Sequence, residues 1–221
     1  MTSFSADRFA AALRGFGPLG IVAVLLVLFS PNGFVGGVLV LAWAQLSRTP
    51  WRELGYARPK SWIATVAIGI AFGVAFKLVM KAIVMPLLGA DPVNHAYHYV
   101  AGNPAALAAM ALVVTFSAGF GEETVYRGFL FERLGKLFGS GTAAKGLIVV
   151  LTAAWFALMH YGGQGIPGVE QAVVTGLVFG SIFAVTGRIW MLMIAHATFD
   201  LTALALIYWN LETNVAHSIF R

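Results

Sequence analysis

The chain has 221 residues, of which 59% are hydrophobic and only 10% charged, with a net charge of +5 and a mean hydropathy of +0.83. That composition excludes a soluble domain and identifies an integral membrane protein. The absence of cysteine excludes disulfides, thiol nucleophiles and Cys-ligated zinc, and the basic residues lie in short loops between apolar segments, where they meet lipid headgroups rather than nucleic acid.

At roughly 20 residues per span, the expected fold is all-α: one integral membrane domain over 1–221, with about seven spanning helices around a polar cavity. The first apolar segment starts near Phe9 and runs to Phe29. It shows no small-residue cleavage site and reads as a retained helix. Ser30-Pro31-Asn32-Gly33 turns the chain into a second helix, Phe34 to Leu46. The loop Ser47 to Lys60 carries Arg48, Arg52, Arg58 and Lys60 against Glu53, which predicts a cytoplasmic face. Trp51-Arg52-Glu53-Leu54-Gly55-Tyr56 within it is expected to anchor at the interface. A third helix, Trp62 to about Met85, carries Lys77 and Lys81, whose stems are expected to snorkel to the membrane surface. Pro86 to Pro104 has no Lys or Arg and reads as an outer loop; its His95 and His98 are not expected to bind metal.

A fourth helix from Ala105 leads into the basic segment Tyr126 to Lys145. The fifth, Gly146 to His160, ends in a breaker-rich loop, Gly162 to Gly168. A sixth spans about Glu170 to Thr186, and a seventh Ile189 to about Trp209. Eleven of the fourteen Lys and Arg then fall on one side, which predicts the N-terminus inside and the C-terminus outside.

Against this background, the polar residues inside apolar runs single themselves out. Ala105 to Phe120 holds no ionisable side chain, yet it delivers Glu122 and Glu123 with Arg127 four residues on. His160 ends an apolar run, and His196 with Asp200 lies inside another. Unpaired charge in lipid is costly, so such groups mark a functional site by default. The turn Gly139-Ser140-Gly141 sits 19 residues after Glu122 and 19 before His160, counted from Gly141. Equal antiparallel arms return to equal heights, so a fourth helix continued to about Phe138 brings His160 level with Glu122. His196 lies eight residues past Arg188, or ~12 Å inward at 1.5 Å per residue. The three then converge in the inner half of the bilayer, with Gly162 to Gly168 capping the far side of the cavity.

Residues four apart share a helix face, as do His196 and Asp200, Phe156 and His160, and Glu123 and Arg127. An ion pair of Glu123 with Arg127 leaves Glu122 free for chemistry. A carboxylate in an apolar pocket can take a proton from water, an imidazole can orient that water, and a second imidazole can hydrogen-bond a developing oxyanion. These parts suit hydrolysis of a peptide bond. The same buried groups also suit a proton or ion path in a transporter or scaffold, although no inverted repeat is visible.

Glu122-Glu123-x-x-x-Arg127, Phe156-x-x-x-His160 and His196-x-x-x-Asp200, in this order, resemble the CAAX-protease and bacteriocin-processing (CPBP) family of intramembrane endopeptidases. The resemblance covers the helical core 105–209. It implies that Glu122 is general base on a water held with His160, that His196 and the residue four later form an oxyanion site, and that Arg127, with Glu123 and Phe156, is structural. It implies a membrane-associated peptide substrate, prenylated or of the bacteriocin or leader type, and a plasma membrane of bacterial or archaeal type. Where the prenyl-protease branch often has Asn, this chain has Asp200, which accepts rather than donates and is therefore expected to orient His196. The family admits a metal-free mechanism, favoured here, and a zinc alternative on Glu122, His160 and His196.

Overall fold

The computed structural model describes the backbone of residues 2–220 and the side chains of residues 6–220, and every regular element among them is helical. Helix α1 (Thr2–Arg14) bends by 57° into α2 (Pro18–Leu28), where Pro18 occupies a first-turn position that needs no N–H donor. Helix α3 (Gly33–Ser47) starts under an Asn32 cap whose side chain accepts from the Val35 N–H at 3.0 Å. Helix α4 (Trp62–Leu87) and helix α5 (Pro104–Phe138) follow, capped by Ser61 and Asn103. Between them lies the loop 88–103 with a short 3-10 turn, His98–Val100. Helix α5 therefore does run on to Phe138, as the equal-arm argument requires. Gly139, with φ of 87°, ends it.

The helical stretch Thr142–Thr186 is broken at Gly165, whose φ of 63° and ψ of −156° leave the helix. We label its arms α6 (142–164) and α7 (166–186). They fold back on each other, since a Cβ on Gly176 would meet Ala153 and one on Gly180 would meet Val149. The expected seven-residue loop is in fact a reversal at one glycine. Its other breakers stay helical because Pro167 falls in the first turn of α7, where proline is tolerated. Helix α8 (Trp190–Tyr208) and the short α9 (Glu212–Ala216) complete the chain.

Among the described residues, four helices, counting Thr142–Thr186 as one, are long and apolar enough to cross a membrane, and the bent α1–α2 pair raises the number to five. The expected count of seven is not confirmed, because Thr142–Thr186 is counted once although Gly165 divides it into two arms, and α3 has only 15 residues.

Helix α8 is the element everything else positions. It packs mainly on α4 and α5, and α3 closes on the other side of α5. Glycines let these backbones approach closely: a Cβ on Gly73 would lie 2.3 Å from the Ala195 carbonyl oxygen, on Gly119 2.8 Å from that of Met193, and on Gly121 2.1 Å from that of Gly33. Gly121 immediately precedes Glu122, so the α3 contact fixes the height of the acid pair.

Candidate active site

Between Val114 and Phe129, α5 winds as a wide π-helix, a form that is rare and concentrated at functional sites. Glu122, Glu123 and Arg127 all lie on this stretch. Glu123 is fully buried and Arg127 is 1% exposed. The Arg127 Nη1–H donates to Glu123 Oε1 at 2.8 Å, so the expected ion pair is present. Its guanidinium lies 4.9 Å from the Phe156 ring and 5.5 Å from the Phe179 ring, a cation held between two aromatic faces. Phe156 thus packs on both Arg127 and the His160 ring, 4.4 Å away.

The same Glu123 oxygen accepts a second bond, from His196 Nδ1 at 2.7 Å. The orienting hydrogen bond expected of Asp200, as an acceptor where the resembling family often has Asn, is made by Glu123 on the Nδ1 side. Asp200 lies on the other side of the ring, 3.7 Å from Nε2, and Glu122 Oε2 is 3.8 Å from that nitrogen. His196 is held by one nitrogen and presents the other to two carboxylates. His160 is fixed in the same manner. Its Nδ1 is 2.7 Å from the Phe156 carbonyl oxygen, and because a carbonyl only accepts, Nδ1 carries the hydrogen and Nε2 is left free of that contact.

Glu122, His160, His196 and Asp200 line one cavity of about 130 Å³, and Glu122 lies within electrostatic range of both imidazoles. Glu122 Oε2 is buried and has no hydrogen-bond partner among the described residues. For the zinc alternative, both Nδ1 atoms are engaged, which leaves Nε2 of each ring as the donor a metal would meet; among the described residues no group of three His, Cys, Asp or Glu is placed to hold a metal ion.

Residues 104–202 match the family model of the type II CAAX prenyl endopeptidases, Rce1-like. Over those residues the chain is similar to that family. This family of intramembrane CAAX endopeptidases is the one whose motifs the acid pair and two histidines resemble, and the Rce1-like match runs from the first residue of α5 into α8, spanning all four cavity residues. No curated protein and no solved structure matches the chain.

Around the matched segment, the structure adds residues that spacing did not reveal. Lys77 does not snorkel. It is 6% exposed, donates to Gln171 Oε1 at 2.7 Å, sits 4.7 Å from the Phe199 ring centroid and lines the cavity. Lys81 turns inward too, pairing with Glu212 at 3.1 Å and with the Pro92 carbonyl.

On the opposite side, Tyr56 hydrogen-bonds Thr124 at 2.7 Å, one residue from Glu123. Its ring is the centre of an aromatic row with Trp51, Trp190 and Trp62. The Trp51 to Tyr56 segment is thus packed inward as a floor under the π-helix as well as lying near the surface. Burial pushes the Tyr56 hydroxyl up to about 12, with the Thr124 hydrogen bond acting in the other direction.

Proposed function

We propose that the protein is an intramembrane endopeptidase that hydrolyses a peptide bond of a membrane-associated substrate, with Glu122 as general base and no metal. Glu122 takes a proton from a water that His160 Nε2 helps to orient, and the resulting oxygen attacks the scissile carbonyl. His196, with hydrogens on both ring nitrogens, donates from Nε2 to the oxygen that becomes negative, while Glu123 and Arg127 hold its other edge. Asp200 keeps the free edge of the ring turned to the cavity. The observation that carries this reading is the buried, unpartnered Glu122 oxygen 3.8 Å from an imidazole nitrogen, since a buried acceptor without a donor calls for one from water or substrate.

The deciding experiment is cleavage of a lipidated or transmembrane peptide by purified protein in vesicles, with and without chelator. Glu122→Gln keeps the shape and removes the base, so cleavage should fall by roughly 10²–10⁴-fold with an unchanged unfolding temperature. Undiminished cleavage by that variant, or loss of wild-type activity in chelator that added zinc restores, would overturn the mechanism.

The proposed orientation places the loop 48–60 and the α5–α6 turn in the cytoplasm and the C-terminus outside. Cysteines substituted singly for Arg58, His98 and Asn214 test it on a chain with no native thiol. Labelling of the Arg58→Cys protein from outside would reverse the assignment.

A further inference from the structure

An attacked carbonyl needs hydrogen-bond donors beside His196, and several polar groups of this cavity are already committed. Asp200 cannot donate as a carboxylate. Lys77 is engaged with Gln171 and seated over Phe199, and Gln164, which also lines the cavity, gives an amide hydrogen to Tyr97. That last contact sets the role of Tyr97. Gln164 Nε2 donates to the phenolic oxygen at 3.2 Å, so the hydroxyl is used as an acceptor and its own hydrogen is left to point elsewhere.

The ring of Tyr97 is half-buried and packs against the apolar cluster built on Val100, Val114, Leu204 and Ile207. From there it lines the same cavity as Glu122, His196 and Asp200. It comes from the loop 88–103, whereas the other polar residues of the site come from helices.

We propose that Tyr97 is a further catalytic residue, whose O–H donates to the oxygen of the attacked carbonyl and supplies the donor that Asp200 cannot. The proposal rests on the endopeptidase reading. In the step, water oxygen bonds to the carbonyl carbon, the water proton passes to Glu122, and the carbonyl electron pair moves onto oxygen. His196 Nε2–H and Tyr97 O–H hydrogen-bond that oxygen. The pair then returns, the C–N bond breaks, and the leaving amine takes the proton back from Glu122. No proton leaves the phenol. Burial, followed by the charges of Asp200 and Glu122, holds the Tyr97 hydroxyl above its ordinary value, which keeps the hydrogen available for donation.

The test compares the wild type, Tyr97→Phe and Glu122→Gln on one cleavable peptide, and then measures inhibition by the matching peptide aldehyde, whose hydrate carries the tetrahedral oxygen. Tyr97→Phe should lower kcat by roughly 100-fold, the size of effect of one oxyanion donor, with KM and unfolding temperature nearly unchanged. The aldehyde should lose affinity by a similar factor. A merely structural role would not weaken the aldehyde selectively. If Tyr97→Phe keeps kcat within about threefold of wild type, or weakens substrate and aldehyde equally, the proposal fails while the endopeptidase reading stands. If the wild type does not cut, or Glu122→Gln cuts as well, the reading fails and takes the proposal with it.

Discussion

The two sides of His196 are built differently. On the Nδ1 side, Glu123, Arg127, Phe156 and Phe179 form a dry layer in which each of these side chains is at most 2% exposed and Glu123 and Arg127 are bonded directly. On the Nε2 side, Glu122 and Asp200 keep side-chain exposures of 22% and 24%, stand beyond hydrogen-bond range of the ring and face a cavity. The dry layer sits on helices locked by glycine contacts, whereas the cavity is closed in part by a loop. Fixed charges thus orient one edge of the imidazole so that the other can meet a changing partner, which is the division of labour expected of preorganised electrostatics.

The comparison breaks most visibly on the dry side. Arg127→Ala strands Glu123 in a layer without water, and the unfolding free energy should fall by about 3–5 kcal/mol. Thermal or denaturant unfolding in detergent measures it, and a loss below about 1 kcal/mol would mean that the layer is not locked.

On the cavity side, Lys77→Met keeps the stem and removes one hydrogen bond to Gln171. Its cost should stay within about 0.5–1.5 kcal/mol by the same assay. A cost equal to that of Arg127→Ala would erase the distinction between the two sides.

The smallest effect concerns the floor beneath the dry layer. Because the Tyr56 hydroxyl titrates at about 12 in the fold against an ordinary 10.0, the folded state holds a proton that the unfolded chain has lost across that interval. Stability should therefore decline as pH rises from 10 to 12, and Tyr56→Phe should flatten that decline in an alkaline unfolding series.

Much of this arrangement was legible because it depends on count and local spacing. The extension of α5 to Phe138 followed from equal arms about Gly139-Ser140-Gly141, and the Glu123–Arg127 pair from an interval of four. The Glu123–His196 bond joins residues 73 apart and depends on how α5 and α8 rotate against each other. That rotation is set by the Gly119 contact and by the π winding, neither of which has a period visible in an apolar sequence. Lys77 was misplaced for a related reason: snorkelling assumes that lipid surrounds the helix, and its inward face becomes apparent only once α7 brings Gln171 beside it. The Gly162 to Gly168 run exaggerated the break because three of its glycines and a proline are compatible with helix ends, while Gly165 alone carries the positive φ.

The π winding of α5 also dictates which genetic changes this chain can absorb. Gly119 aside, a substitution between Val114 and Phe120 leaves the residue count intact and the acid pair in place. A one-codon deletion there would let the segment tighten towards ordinary α-helix, and each residue removed turns everything after it by about 100°. Glu123 would then be carried towards the place of Glu122 and Thr124 towards that of Glu123, and the dry layer would lose its anion. The stretch should vary among descendants in letter but not in length.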